Sequence, residues 1–477
     1  MIPDPQTIGR VLFLLPGPYV YEDRCQSYIG KGSFFGYREP VEEMYGASVL
    51  EATGRTCRIV HAAPARLSGM GIRKIVRTFA PDMVIICTTY PGHVQDLAWA
   101  ASIREILPRC VILARGGQMA FVDREDLLER FSSLDGIIRG ETEFVLRDFF
   151  RSGDGNLPPG FTVRNRDSIV ETPDPVLENN IAALPLPARH LLESRLYRSP
   201  VTARPMATIV ANRGCCHRCI FCPAHQVMGS TVRLKTPQSI VEEIRICREH
   251  FGIRDFFMRG ETFTASRKWL VDLCRELQRQ APGIRWMCNA RADTLDFELA
   301  GIMKSAGLCG VSIGAESPDS KTLTMIKKDL CFQDVQRAVK ACQAHGIMTM
   351  AYFMMGFMWE TREDILRNLE LSRNLKSDVT EFFFPYPLPG TELFESAKKL
   401  GIIQDHDPMP YSQQAPVFIP PGLTKKQLVC LRGSARRGLA QNFRAAKAVM
   451  RQATGPRELA AVMTHGLFTA ANALFRL

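Results

Sequence analysis

The sequence of 477 residues lacks the features that mark a membrane-spanning or secreted protein. It contains no uninterrupted apolar run of about eighteen residues, so we expect no membrane span. Its first residues lack the charged, apolar and small-residue order of a secretory signal. Its 15 cysteines, an odd number, show no pairing rhythm. We therefore expect free, mostly buried cysteines and a reducing, cytoplasmic compartment.

Acidic residues are absent between positions 408 and 457, where nine lysines and arginines fall. The formal net charge is +11, which favours an acidic partner such as a nucleic acid, an anionic membrane surface or a charged cofactor. Otherwise the composition, 46% hydrophobic and 23% charged, is that of ordinary globular material. The length allows two or three hydrophobic cores.

Three cysteines stand out because Cys215, Cys219 and Cys222 have the spacing C-x3-C-x2-C on one short segment. Three thiolates are one fewer than a closed four-cysteine cluster needs, which leaves one iron of a [4Fe–4S] cluster open to an external ligand. A structural zinc site would need a fourth ligand, for which His217 or His225 is available. The spacing favours the iron–sulfur cluster.

Short apolar runs alternate with helical periodicity along two parts of the chain. Residues 1–150 predict a parallel, doubly wound α/β sheet of the flavodoxin or Rossmann kind. Residues 204–400 predict a partial (β/α)6 barrel with its chemistry at the carboxyl ends of the strands. Between them, residues 151–203 are interpreted as a bridge, and residues 401–477 as a helical carboxyl-terminal region.

The cysteine motif, preceded by Asn212-Arg213-Gly214 and followed by Pro223, resembles the signature of the radical SAM superfamily, in which S-adenosylmethionine (SAM) occupies the open iron. The resemblance implies a SAM site at the barrel mouth. Its ammonium, carboxylate, ribose and adenine contacts, together with an aromatic residue beside the last cysteine, would come from Gly260, Glu261, Arg291, Ser312, Glu316, Gly356, Leu388, Pro389 and Phe221.

Three loops of the first domain, in the runs PDMVIICTTYPG, ILARGGQMA and IIRGETE, resemble the cobalamin-binding domain found upstream of many radical SAM cores. By this resemblance cobalamin would contact Thr88, Thr89, Tyr90, Pro91, Gly92, Gly116, Gly117, Gln118, Gly140 and Glu141. The alternative is a plain flavodoxin-like sheet whose glycines only turn the chain. The D-x-H-x-x-G motif that gives cobalt a lower histidine elsewhere is absent, and His61 is interpreted as an ordinary loop or strand-end histidine.

Together these resemblances imply a class B methyltransferase. Such an enzyme methylates an unactivated carbon through a 5′-deoxyadenosyl radical and methylcobalamin, and it needs a reductant such as flavodoxin or ferredoxin. One alternative keeps both cofactors but ends in cyclisation, ring contraction or oxygen insertion, as in the anaerobic tetrapyrrole cyclase branch. Another is a cobalamin or iron–sulfur sensor that contacts nucleic acid, although no DNA-binding module is recognisable.

The basic segment predicts an amphipathic helix over residues 436–451. Its apolar face would carry Leu439, Phe443, Ala446 and Met450, and Arg437, Arg444, Lys447 and Arg451 would lie on the other side. With the broken apolar stretch 459–477 it predicts contact with the cytoplasmic face of a membrane and a lipid-like substrate. The alternative is a pair of helices packed over the barrel mouth.

Overall fold

The computed structural model of the chain describes residues 2, 4–17, 37–88, 92–152, 156–165, 168–403, 415–436, 444, 447–448 and 450–452. Within these residues the chain forms one sheet of mainly parallel strands and one that is wholly parallel, each flanked by helices, and a small hairpin between them. The predicted order of a doubly wound domain followed by a partial barrel is confirmed. None of the helices in this described part of the chain is long and apolar enough to cross a bilayer.

The first sheet has five parallel strands in the order β2-β1-β3-β4-β5, the order of flavodoxin-like domains. The strands are β1 (Arg10–Leu15), β2 (Thr56–His61), β3 (Met83–Cys87), β4 (Val111–Arg115) and β5 (Gly136–Ile138). The helices are α1 (Val41–Glu51), α2 (Gly69–Phe79), α3 (His93–Leu97), α4 (Trp99–Ile106), α5 (Arg124–Arg130) and α6 (Thr142–Ser152). Separate apolar clusters cover the two faces of the sheet, which is why its central strands are continuous apolar runs.

Two strands extend this sheet beyond the predicted first domain. β6 (Phe161–Asn165) pairs antiparallel with β5, and β7 (Ser168–Glu171) pairs antiparallel with β6. Residues interpreted as part of a bridge thus continue the first sheet. Their short, partly exposed strands carry little apolar periodicity, which explains why the sequence pattern did not reveal them.

The second sheet has six parallel strands in sequential order, as the partial barrel requires. The strands are β8 (Met206–Val210), β11 (Asp255–Arg259), β12 (Arg285–Ala290), β13 (Leu308–Glu316), β14 (Met348–Met354) and β15 (Val379–Phe383). The hairpin strands β9 (Asn212–Arg213) and β10 (Arg233–Leu234) follow β8. The helices are α7 (Ala224–Val227), α8 (Pro237–Phe251), α9 (Arg267–Gln280), α10 (Phe297–Ser305), α11 (Ser320–Met325), α12 (Phe332–Ala344), α13 (Arg362–Asn374), α14 (Glu392–Lys399) and α15 (Lys425–Arg436).

The first domain covers the open edge of the barrel at β8. The backbone N–H of Thr208 donates to Glu39 Oε2 at 2.7 Å, and Arg189 donates to the Thr208 carbonyl at 2.7 Å. Tyr45 of α1 packs with Val210 of the same strand. An uncovered edge strand exposes unpaired backbone groups. Side chains from outside the barrel therefore complete its sheet on this side.

The described residues between 444 and 452 are helical, but they pack at the amino-terminal end of the barrel, opposite the mouth. Ala448 is buried among Met206, Met348 and other residues near the starts of the strands, and Gln452 donates to the Gly346 carbonyl. Met450, predicted on the apolar face, is 48% exposed and so does not pack against the barrel. Leu439, Phe443 and Ala446, as well as residues 459–477, lie outside the described residues.

Candidate active site at the mouth of the barrel

The cysteine loop is closed at its base by the hairpin β9–β10, directly after the first barrel strand. Gly214 has a left-handed φ of 94°, and a Cβ there would collide with the Thr231 carbonyl, so only glycine fits. Cys219 is buried, Cys215 and Cys222 are half-buried, and the neighbouring Cys216 is exposed. The three cysteines of the motif thus share one sheltered loop, from which Cys216 points away.

Burial disfavours the charged form of two of the three thiols. Burial raises the pKa of Cys219 to about 12, an effect that nearby Lys328 opposes and Cys222 reinforces. Burial also raises the pKa of Cys215, whose Sγ lies 3.3 Å from Thr262 Oγ1. Thiolates in such a place need a metal to balance their charge.

An iron–sulfur cluster takes one thiolate per iron, so the thiols of Cys215, Cys219 and Cys222 can serve three irons of a [4Fe–4S] cluster. Among the described residues, no three His, Cys, Asp or Glu side chains form a group that could hold a single metal ion.

The end of β11 contacts the cysteine loop directly. Glu261 accepts a hydrogen bond from the Gly214 N–H at 3.1 Å. A Cβ at Gly260 would collide with the amide of Asn212, so glycine is required there by close packing on the residue that opens the hairpin. The predicted SAM contacts Gly260 and Glu261 thus lie beside the first cysteine of the motif.

Arg291 and Glu316 lie close to the buried Lys328, which the sequence analysis did not single out. Glu316 accepts from Lys328 Nζ at 2.8 Å, and Arg291 donates to the Lys328 carbonyl at 3.0 Å. Arg291 also makes two bonds of 3.0 Å with Asp293. The predicted SAM residue Ser312 bonds the hydroxyl of Tyr352 at 3.2 Å. Lys328 lies between two residues with left-handed backbone, Lys327 and Asp329, and no sequence motif predicts such a turn.

Two of the four remaining predicted SAM residues, Phe221 and Leu388, lie in one apolar cluster. Phe221 packs against a cluster that contains the buried Leu388. Pro389 is buried beside it. Gly356 follows β14 with a left-handed φ of 90°, and its N–H donates to Glu360 at 2.7 Å. An apolar wall at a radical site excludes water and other quenching groups.

The predicted cobalamin loops lie at the carboxyl edge of the first sheet. Thr88 and Gly116 touch, since a Cβ at Gly116 would lie 2.8 Å from the Thr88 carbonyl. Gly117 and Gln118 lie in the single turn Gly117–Ala120. Gly92 begins α3 as its N-cap. Thr89, Tyr90 and Pro91 lie outside the described residues.

Gly140 and Glu141 follow β5 at the same edge. Gly140 has a left-handed φ of 74° and packs on Pro175, and the carboxylate of Glu141 binds Arg213 and Arg233. At the end of β2, the edge strand on the far side of this sheet, His61 bonds the Tyr197 hydroxyl at 3.1 Å, and burial lowers the pKa of this histidine to about 3. His61 is therefore a neutral, packed side chain.

The two predicted cofactor regions meet at the domain junction. The turn Gly117–Ala120 contacts α7, which follows the cysteines. Phe121 packs so closely on Gly390 that a Cβ there would lie 2.6 Å from its ring. A small cavity at the junction is lined by Gly117 and Gly140 on one side and by Val227 and Met228 on the other. The double-glycine loop of the first domain thus faces the cysteine loop of the barrel.

Residues 209–372 match the sequence model of the radical SAM superfamily. The barrel is therefore a radical SAM domain, and the chain is a radical SAM enzyme.

The chain is similar to the uncharacterized methyltransferase PH0819 of Pyrococcus horikoshii, with 26% identity over 78% of this chain and 81% of that protein. It is also similar to the anaerobic magnesium-protoporphyrin IX monomethyl ester cyclase of Rubrivivax gelatinosus, with 26% identity over 88% of this chain and 75% of the cyclase. Its fold resembles the radical SAM methyltransferase TsrM of Kitasatospora setae, solved with cobalamin and a [4Fe–4S] cluster bound. The TM-score is 0.65 at 18% identity, covering 83% of this chain and 76% of TsrM.

Proposed function

We propose that this chain is a cobalamin-dependent radical SAM enzyme that methylates an unactivated carbon of a small-molecule substrate. The observation that carries the proposal is the junction itself, where the cysteine loop of the barrel faces the double-glycine loop of the first domain. Ligands of doubly wound sheets and of barrels bind at the carboxyl ends of the strands. Here those ends of both domains meet.

The cysteine loop fits a cluster with one open iron, as the chemistry of its donors requires. When bound, the cluster supplies the electron that cleaves SAM, and cobalamin supplies the methyl group for transfer. Cys215, Cys219 and Cys222 would hold three irons, while Lys328 places a positive charge near Cys219. The wall of Phe221 and Leu388 would shield the reacting atoms from water.

The loops at the carboxyl edge of the first sheet, here called the cobalamin cradle, fit a polar cofactor. Thr88 Oγ1 is buried and has no hydrogen-bond partner among the described residues. Buried hydroxyls are normally bonded, so this atom is available to a ligand group at the same edge as Gly117. His61 is engaged by Tyr197 and neutral. These observations support cobalamin held by the loops without a histidine ligand from the D-x-H-x-x-G motif.

The second candidate is a cyclase, or an enzyme of ring contraction or oxygen insertion, that uses the same cofactors. The similarity to the magnesium-protoporphyrin ester cyclase, which spans 88% of this chain, favours it. Both candidates share the cluster, the SAM site and the cobalamin cradle. A substrate that gains the methyl carbon of labelled SAM would identify methylation, and a product with one new ring and no label would identify cyclisation.

The proposal includes two partners. A one-electron reductant such as flavodoxin or ferredoxin is required by the cluster. Contact with an anionic membrane is supported by the exposed side chains of Lys447, Met450 and Arg451, which lie on the outer side of the helical segment at the barrel base. Because this segment lies opposite the mouth, such contact would anchor the protein and would not deliver a lipid directly to the active site.

Replacing the motif cysteines tests the proposal. Cys215→Ala, Cys219→Ala or Cys222→Ala should each lower the iron content of the anaerobically reconstituted chain and abolish 5′-deoxyadenosine formation from SAM with dithionite, because each removes a ligand of the cluster. The exposed Cys216 is the matched control, and Cys216→Ala should keep both properties.

Two results would contradict the proposal. One is wild-type chain that holds a four-iron cluster but releases no 5′-deoxyadenosine, which would favour a sensor. The other is loss of the cluster in Cys216→Ala with full retention in Cys219→Ala, which would overturn the assignment of the ligands.

A further inference from the structure

The base of the cysteine loop carries two positive charges directly opposite each other. Arg213 on β9 and Arg233 on β10 are partners in the antiparallel register, and their side chains are only 4% and 5% exposed. Like charges across paired strands repel, and buried guanidinium groups are costly without counter-charges. A hairpin of two residues per strand cannot offset this by itself. It therefore depends on carboxylates supplied from elsewhere.

The counter-charges come from the first domain, in the segment directly after β5. Glu141 accepts one hydrogen bond from Arg213 Nη1 and one from each terminal nitrogen of Arg233, all at 2.9 Å. Glu143 forms an ion pair with Arg213 as well. Burial works against the charge of Glu141, but the two guanidinium groups hold its pKa below the usual range. The carboxylate is thus ionised and bridges both strands of the hairpin.

The other side of the loop is attached to the barrel. The Gly214 N–H donates to Glu261, and Cys215 Sγ lies beside Thr262 Oγ1. The cysteine loop is therefore held between two bodies: Glu141 fixes its base to the first sheet, and Glu261 and Thr262 fix its first turn to the end of β11. Bidentate guanidinium–carboxylate pairs restrict orientation as well as distance.

We infer that Glu141 is a positioning residue that fixes the cysteine hairpin to the carboxyl edge of the first sheet and so sets the place of the cluster relative to the cobalamin cradle. This inference rests on the proposed function. It differs from the direct cofactor contact that the sequence resemblance implies for this residue, because both carboxylate oxygens are engaged by arginines of the hairpin.

Substitution of Arg233 is an independent way to weaken the contact between Glu141 and the hairpin. The remaining acceptors of Arg233 among the described residues are the backbone carbonyls of Met228 and Glu178, and this arginine does not line the cavity at the junction. Arg233→Lys keeps the positive charge but cannot make two parallel bonds to Glu141. Arg233→Lys therefore disturbs the hairpin without changing a residue of the cobalamin cradle. This variant should fold even if Glu141→Gln does not.

The experiment compares the full-length wild type with Glu141→Gln, Arg233→Lys and the control Asp255→Asn, all reconstituted anaerobically with iron, sulfide and hydroxocobalamin. Asp255 is a similarly buried carboxylate at the opposite end of the barrel, paired with Arg285. The readouts are iron per chain, the EPR signal of the reduced cluster with and without SAM, and the dissociation constants of SAM and hydroxocobalamin. Thermal unfolding checks that each variant is folded.

Glu141→Gln and Arg233→Lys should bind hydroxocobalamin within about threefold of wild type, bind SAM at least about tenfold more weakly and lose the change that SAM causes in the EPR signal. Asp255→Asn should match wild type in every readout. Loss of cobalamin with the SAM response intact would assign Glu141 to the cofactor and overturn the inference. A wild-type SAM response in both variants, or in Arg233→Lys alone if Glu141→Gln does not fold, would also overturn it. A wild type without any cluster would instead refute the proposed function.

Discussion

Two adjacent lysines show how strongly the surroundings of a residue decide its importance. Lys328 is buried and bonds Glu316, whereas the side chain of Lys327 is 51% exposed and pairs with Glu392 at the surface. Burial disfavours a charge on Lys328, but the carboxylate of Glu316 and the thiol of Cys219 raise its pKa. Lys327 and Asp329 have left-handed φ angles of 54° and 48°, which gives the turn the strained backbone often found at functional sites.

Replacing these lysines separates the buried pair from the surface pair. Lys328→Met should destabilise the chain by roughly 3–5 kcal/mol, because it leaves the carboxylate of Glu316 buried without a counter-charge. Lys327→Met should change stability by no more than about 1 kcal/mol. Urea unfolding measures both values, and SAM titration should show weaker binding only for Lys328→Met. Equal effects of the two substitutions would contradict this account of the pair.

Glu360 makes the loop after β14 sensitive to pH. Its carboxylate accepts from the N–H groups of Gly356 and Phe357 and from Asn368, and burial raises its pKa to about 7. The folded state therefore binds this proton more tightly than the unfolded state. The resulting stabilisation is complete below about pH 4.5, the ordinary pKa, and is lost as the pH rises through about 7.

Glu360→Gln tests this pH dependence, because glutamine keeps the shape and the acceptor but cannot ionise. At pH 8 the variant should be more stable than wild type by up to roughly 3 kcal/mol, and the difference should shrink towards pH 5. Urea unfolding at the two pH values measures it. The same difference at both values would show that Glu360 does not titrate in this range.

At the scale of the elements, the parallel strands were the most predictable part of the fold. Strands buried on both faces are short apolar runs, and β3 and β5 are such runs, buried along their whole length. Helical periodicity extends over residues 94–107, whereas the helix is interrupted at Ala98, between α3 and α4. Helix α1 was not predicted because nearly all of its residues are buried, which removes the polar face that reveals a helix in a sequence.

Residues of the candidate site could be predicted from the sequence only where they belong to a recognisable motif. The order of the motifs predicts the cysteines, Arg291, Ser312 and Glu316 as site residues, and all of them lie on the strands and loops of one barrel. The partners of such residues were not visible in the sequence. Glu141, for example, contacts Arg213 and Arg233 from 72 and 92 positions away. Contacts of that separation follow from domain packing, which a single sequence does not encode as a local pattern.

The loop after β4 allows a test of the cobalamin cradle. Gly116→Val would press two methyl groups and a Cβ against Thr88, whose carbonyl already lies 2.8 Å from the Cβ position. The displaced loop should bind hydroxocobalamin at least about tenfold more weakly, as expected for overpacking. Gly71→Ala in α2 of the same domain is the control, because the nearest atom to its Cβ is 3.6 Å away. Absorbance titration measures the affinity for hydroxocobalamin, and an unchanged affinity in Gly116→Val would contradict the proposed cradle.

At the scale of the whole molecule, neither domain is complete by itself. The first domain closes the β8 edge through Glu39, and it supplies Glu42 to pair with Arg259 and Glu141 to pair with the hairpin. These buried ion pairs have well-defined geometry but small net stability, because desolvation offsets much of their attraction. Their arrangement therefore serves mainly to define how the domains meet, which is the property that an enzyme with two cofactors at one junction requires.

The base of the barrel provides the last test, of the proposed membrane contact. Lys447 and Arg451 are exposed on the outer side of the helical segment, whereas Ala448 and Gln452 hold its inner side against the barrel. Each basic residue near an anionic surface contributes about 1 kcal/mol. Reversal of both charges in Lys447→Glu/Arg451→Glu should therefore weaken binding to anionic liposomes by more than about tenfold at low salt.

The matched control for this experiment is Lys425→Glu/Lys426→Glu, which changes the net charge equally on the exposed first turn of α15. Co-sedimentation at low and high salt compares the two variants with wild type. If the barrel base is the contact surface, the control should retain most of its binding, since its charges lie outside that segment. Equal loss in both variants would show attraction by net charge alone, and no binding of wild type at either salt concentration would remove the membrane from the proposal.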